Sequence, residues 1–237
     1  MSTIILDFGS GNTGRNEPYT MTAMVNELMK VDSRRHGHRI IIKWQLFEKA
    51  GDNIPLDRQQ FHVFYEYALE MGYESTASVF DLPSLQFLLS VAKDKCGKQA
   101  ATFEESKEPI QPQDMVSGLP FIKIANRRDL DYLIGYIPRR IPVYVSVGAA
   151  SLPVLPYNEN IKELFCVSKY PADISDYEPY MHRLKGISGI SDHTDTFELW
   201  HTYQPEIIEW HYKLPNSTGL DAGSFARTPE QLREIIG

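Results

Sequence analysis

Eight short apolar runs, separated by stretches with apolar residues at helical spacing, constrain this chain more than any other feature. The runs are Ile4–Phe8, Ile40–Gln45, Gly72–Thr76, Phe121–Ala125, Val143–Val147, Glu163–Val167, Ile187–Ser191 and Ile207–His211. Between them Met21–Lys30, Arg58–Met71 and Leu82–Lys95 repeat apolar residues every three or four positions. Leu130–Ile137 is a shorter helix candidate, and Pro229–Ile236 closes the series. Apolar runs alternating with amphipathic helices make a parallel sheet covered by its crossovers. Eight such units predict an α/β fold, a TIM (β/α)8 barrel. Beyond the fourth strand, strand starts are about twenty residues apart, near the least that a strand and its crossover need, so shortened later helices are expected. The segment Phe103–Leu119, with Pro109 and Pro112, reads as an irregular connection.

The chain has 237 residues, 42% of them hydrophobic. Barrels of this kind run to roughly 250 residues, so a single domain over 1–237 is expected. The start, Met-Ser-Thr-Ile-Ile-Leu-Asp, lacks a basic n-region and an extended apolar core, and no later run is long enough to span a bilayer; a cytoplasmic protein without a membrane partner is expected. Cys96 and Cys166 are the only cysteines, which favours reduced thiols over a disulfide framework. A formal charge of −7 argues against general nucleic-acid binding, and the pairs Arg34-Arg35, Arg127-Arg128 and Arg139-Arg140 read first as solvated loops.

In a parallel barrel the inward residues at the C-terminal strand ends share one mouth, where active sites of this architecture lie. His193 and His211 follow two consecutive runs at similar points, eighteen residues apart. Taken alone, two of seven histidines are more often satisfied surface or core residues; on adjacent strand ends they can share a divalent metal and leave coordination positions open. Lys43 and Lys123 end or interrupt apolar strands, where an ammonium is costly unless it meets an anion or snorkels out over the rim. Two of them at one mouth suit a multiply charged anion. Asp7 is either an acid/base group or an ordinary strand-end carboxylate, and Glu209 shares a strand face with His211 as a candidate supporting carboxylate.

A series of short motifs follows the same order. Leu6-Asp7-Phe8-Gly9, Lys43-Trp44-Gln45, Glu74-Ser75-Thr76, Phe121-Ile122-Lys123-Ile124, Val145-Ser146-Val147-Gly148, Cys166-Val167-Ser168-Lys169-Tyr170-Pro171, Ser191-Asp192-His193-Thr194 and Glu209-Trp210-His211 resemble the successive strand ends of the N-acetylneuraminate (sialic acid) synthase family. The likeness runs over nearly the whole chain and is most specific from Lys123 to Asp221. It implies a barrel that condenses phosphoenolpyruvate with an aldehyde, sugar-like acceptor and releases phosphate. It also implies catalytic roles for Asp7, Lys43, Lys123 and Tyr170, and contacts to substrate from Gln45, Thr76, Ser146, Ser168, Ser191 and Asp221. A divalent metal, Mn²⁺ expected, would sit on His193 and His211, and a homodimer is a further expectation.

The departures fall mainly on the acceptor side. Asp7 replaces a glutamate, and Gly11-Asn12-Thr13 replaces the family's asparagine-histidine-asparagine turn between Gly9 and Gly14. Arg128 stands where an acidic residue lies near the sugar, unless Asp129 takes that place. The chain stops at Gly237 without the family's arginine-bearing antifreeze-like domain, so an unusual, anionic or larger acceptor is expected. Two other functions stay open: a Schiff-base aldolase or lyase using Lys43 or Lys123 as nucleophile, and a non-catalytic barrel that binds a phosphorylated ligand.

Overall fold

The computed structural model describes residues 2–9, 18–103, 118–148, 160–181 and 188–237, with the side chains of 18 and 93–103 excepted. The Gly11-Asn12-Thr13 turn, Gly14, most of the 103–119 connection and the Cys96 side chain therefore lie outside the described residues. The eight strands are β1 (Thr3–Gly9), β2 (Arg39–Leu46), β3 (Glu74–Val79), β4 (Ile122–Ile124), β5 (Val143–Val147), β6 (Ile161–Cys166), β7 (Gly189–Asp192) and β8 (Ile207–His211). Each pairs in parallel with the next, and β8 pairs with β1, closing the barrel. The fold is the TIM barrel that the apolar runs predict.

Helices α1 (Pro18–Val31), α2 (Arg58–Glu70) and α3 (Leu82–Phe103) are long, whereas α4 (Ile174–Met181), α5 (Glu198–Tyr203) and α6 (Pro229–Ile236) have eight, six and eight residues. Between β4 and β5 the cover is a 3-10 helix, Arg128–Tyr136, rather than an α-helix. The later crossovers are thus short, as their spacing requires. Local chemistry starts the helices: the Asp57 carboxylate accepts from the Gln59 and Gln60 amides, and Thr228 with Gln231 forms a capping box in front of α6.

Alternation along each strand sorts the side chains. Ile4, Leu6, Phe8, Ile42 and Trp44 belong to the large outer cluster that packs under the helices. Ile5, Ile41, Phe121, Tyr144, Leu164 and Ile207 form a second cluster that plugs the lower barrel, with Phe121 and Tyr144 stacked at 4.1 Å. Each such side chain contributes roughly 1.5–3 kcal/mol over its exposed state. At Gly189 an added Cβ would lie 2.3 Å from the Ile207 carbonyl oxygen, so only glycine admits β8 at that distance. Two residues further along the strands the inward positions turn mostly polar, with Asp7, Lys43, Lys123, Ser146, Ser191 and Glu209, and Cys166 on β6.

Strand β3 departs from its expected bounds. Ending it at Thr76 puts that hydroxyl at the mouth, whereas the ladder to β2 continues through Gln45↔Ser78 and Leu46↔Val79. Thr76 lies lower in the barrel, is 0% exposed and donates to the Phe121 carbonyl. It is part of the packed interior, and Ser78 occupies the higher inward position.

Candidate active site at the barrel mouth

A cavity of about 770 Å³ opens at the C-terminal ends of the strands and is lined from all eight units, from Asp7 on β1 to His211 and Phe225 beyond β8. Its floor is ionic. The Lys43 ammonium donates to Asp7 Oδ2 at 2.5 Å and to Ser78 Oγ at 2.9 Å, with Glu209 Oε2 at 3.6 Å. The Lys123 ammonium donates to both Glu209 oxygens, at 2.6 and 2.8 Å, and Ser191 Oγ donates to the same carboxylate at 2.8 Å. Gln45 Nε2 reaches Asp7 Oδ2 at 3.1 Å, and Gly9, at φ 64°, turns its N–H onto Asp7 Oδ1 at 2.9 Å.

These pairings set the charges. Burial works against ionisation of Asp7, but the Lys43 ammonium beside it outweighs this and holds the carboxyl below its ordinary value. Glu209 is likewise buried, yet Lys123 and Lys43 keep it ionised well below the usual range. The two ammoniums differ: burial lowers both, but Asp7 and Glu209 more than restore Lys43, whereas Lys123, also repelled by Lys43, stays below its ordinary value. Two cations and two anions balance, so the floor is not the bare anion hole that two lysines alone suggest. Glu209, read in the sequence as a supporting carboxylate, is its centre.

The imidazoles stand above this floor. His193 Nδ1 lies 2.6 Å from the Val167 carbonyl, which requires the proton on Nδ1, and burial pushes its pKa down to about 3. Its Nε2 is 3.2 Å from Ser191 Oγ; that hydroxyl has one proton, and donating it to Glu209 leaves Nε2 with an open lone pair. His211, with its ring centroid 5.5 Å from that of His193, has a buried Nδ1 without a hydrogen-bond partner among the described residues, 3.5 Å from Asp221 Oδ1. A lone pair that accepts no proton from Ser191 and an unpartnered ring nitrogen fit a borderline divalent ion that takes two imidazoles. Among the described residues no group of three or more His, Cys, Asp or Glu side chains is arranged to hold one, so further ligands would have to be oxygens of water or substrate.

Tyr170 stacks on His193 at 4.3 Å, meets His211 edge-on at 6.0 Å and is itself 54% exposed, a rim aromatic over the imidazoles. Ser146, Ser168 and Asp221 line the cavity, Ser168 within 3.4 Å of Asn126 Nδ2 and Asp221 in the 3-10 turn Leu220–Ala222. Burial raises the Asp221 carboxyl above its ordinary value despite the neighbouring His211. Of the predicted set, Thr76 alone is left out, for the register reason given above. Arg128 does not line the cavity; Arg127 does, and its guanidinium pairs with Asp129, so the rim is less positive than the sequence suggests. Ser78, Asn126 and Cys166 were not foreseen. Alternation along their own strands, from Thr76 to Ser78 on β3 and from Leu164 to Cys166 on β6, points to the first and the last.

The fold and the mouth together define a parallel eight-stranded barrel with an ion-paired, histidine-bearing C-terminal face. Two of the solved structures that resemble the chain show the fold alone. The N-acetylneuraminic acid (sialic acid) synthetase of Leptospira borgpetersenii serovar Hardjo-bovis, in complex with citrate, superposes with a TM-score of 0.70 at 20% identity, over 98% of this chain and 80% of that one. A protein of Chromobacterium violaceum assigned as spore coat polysaccharide biosynthesis protein E superposes at 0.68 and 16% identity, over 99% and 73%. No protein-family model and no curated protein sequence matches the chain. The likeness establishes a sialic acid synthase-like barrel fold. Among the described residues no helix is long and apolar enough to cross a membrane.

Proposed function

We propose that the protein is a phosphoenolpyruvate-dependent synthase that joins the enol carbon of phosphoenolpyruvate to an aldehyde, sugar-like acceptor. One observation carries the reading: two buried ammoniums, two carboxylates and two imidazoles converge on one cavity on this fold. C3 of phosphoenolpyruvate attacks the aldehyde carbon, water adds to the oxocarbenium carbon so formed, and phosphate departs with C–O cleavage to leave a keto acid. Lys43 and Lys123 bind the carboxylate and phosphate, Ser78 and Ser191 orient them, and the shared floor fixes the reacting atoms relative to one another. As the ligand's anions take over Lys43, Asp7 loses its cation and becomes the stronger base, placed to accept a proton from the attacking water. Tyr170 and Ser168 bound the acceptor side. A divalent ion held by His193 and His211, Mn²⁺ by expectation, would supply Lewis-acid polarisation of the acceptor carbonyl.

Phosphate release from phosphoenolpyruvate, assayed with Mn²⁺ and a panel of aldehydes that includes N-acetylmannosamine and acidic sugars, tests this reading; release with none of them would refute it. One observation favours a second reading. The lowered Lys123 ammonium is the group a Schiff-base lyase would use. Its bidentate grip on Glu209 weighs against a free amine, and borohydride trapping of a keto acid on Lys123 would decide for the lyase.

A further inference from the structure

We infer that Arg227 is a positioning residue that fixes the two imidazoles of the mouth relative to one another. Arg227 is 0% exposed and does not line the cavity. Its backbone N–H donates to the His211 carbonyl at 2.7 Å, and its carbonyl accepts from the Lys213 N–H at 2.9 Å. Its side chain reaches the other strand: Nη2 donates to Asp192 Oδ2 at 3.3 Å and to the Thr196 carbonyl, with the guanidinium 4.8 Å from the centroid of the Phe197 ring. Asp192 immediately precedes His193. The same Asp192 oxygen accepts from Trp210 Nε1 at 2.8 Å, and Trp210 immediately precedes His211.

One residue therefore bonds to the backbone of one histidine and to the direct neighbour of the other. The place is where such a tie is needed, because the β7–β8 ladder ends at Asp192↔Trp210 and both imidazoles lie just past it. Fold stability gives no comparable reason for the pair. Replacing a buried ion pair by apolar side chains of similar volume is often neutral or stabilising, and Arg227 Nε and Nη1 have no hydrogen-bond partner among the described residues, a further cost. What the pair adds over apolar packing is direction. Partners behind histidine ligands commonly tune the site in this way.

The test uses the full chain and the double variant Arg227→Met/Asp192→Asn, which removes both charges, with Arg227→Lys as a second variant that keeps a donor to Asp192. In the double variant we expect a thermal melt close to wild type, Mn²⁺ affinity reduced about 10- to 100-fold, and nitrogen-15 imidazole resonances of His193 and His211 shifted and broadened. The remote His62 on α2 should be unmoved, and Arg227→Lys should fall between. The affinity readout rests on the proposed metal site, but the imidazole spectrum does not. If the wild-type protein binds no Mn²⁺, the metal reading fails and the spectra still decide the role of Arg227. Folded double variant with both imidazole signals superimposable on wild type would overturn the inference, as would loss of folding in both variants, which would make Arg227 a stability element.

Discussion

Glu209 decides the electrostatics of the mouth. It bonds to Lys123 through both oxygens, stands 3.6 Å from Lys43 and accepts from Ser191, so an incoming anion has to share or displace it rather than enter an empty cationic pocket. Lys43→Met and Lys123→Met should each weaken phosphoenolpyruvate binding by about 1.5–3 kcal/mol, one to two decades, measured by calorimetry. Unlike a rim lysine, each also leaves a carboxylate unpaired in the interior, and removing one partner of a buried pair costs about 3–5 kcal/mol, so the melting temperature should fall as well. Unchanged affinity in either variant would remove that lysine from the ligand site. Cys166 gives an independent check on how dry the floor is. Burial pushes its thiol up to about 11, so in the mass spectrum its peptide should stay unalkylated by iodoacetamide at pH 8 and react as the pH approaches 11. Rapid labelling at pH 8 would mean that water reaches the floor freely.

At the level of elements, strand β3 shows where the sequence was readable and where it was not. Apolar content located all eight strands, because each is covered on its outer face by helices or packed loop. It misplaced the end of β3, since Glu74-Ser75-Thr76-Ala77-Ser78-Val79 is mostly small and polar and its limits are set by hydrogen bonds to β2 and β4. Helices α4 and α5 leave little signal: Pro179 inside α4 reads as a helix breaker, and the six residues of α5 are too few turns to show a period. The corrected register makes opposite demands on two hydroxyls. Thr76→Ala should cost stability, about 1 kcal/mol by urea unfolding, and leave phosphoenolpyruvate affinity alone. Ser78→Ala, which removes an acceptor from the Lys43 ammonium, should lower that affinity. Reversed effects would restore the shorter strand.

Across the whole molecule, position along the chain says little about which charges meet. Lys123 and Glu209 are 86 residues apart, and only closure of the barrel between β1 and β8 brings their strands to one axis. Lysines, histidines, Asp7 and Glu209 at strand ends mark the mouth in the sequence, but which ammonium each carboxylate meets, the Arg227 tie and the Arg127–Asp129 pair belong to the folded state and leave no local pattern. Under the proposed function, the ionic floor, the imidazole pair and the 770 Å³ cavity would act together to join a small dianionic or trianionic enol phosphate to a second, larger molecule. The most direct test uses phosphoenolpyruvate labelled with oxygen-18 in the C–O–P bridge, incubated with the protein, Mn²⁺ and the aldehyde panel. The expected result is aldehyde-dependent release of phosphate that carries the label, together with a keto acid whose mass is that of phosphoenolpyruvate, aldehyde and water less phosphoric acid. Phosphate without the label, or phosphate released equally without any aldehyde, would contradict the condensing mechanism.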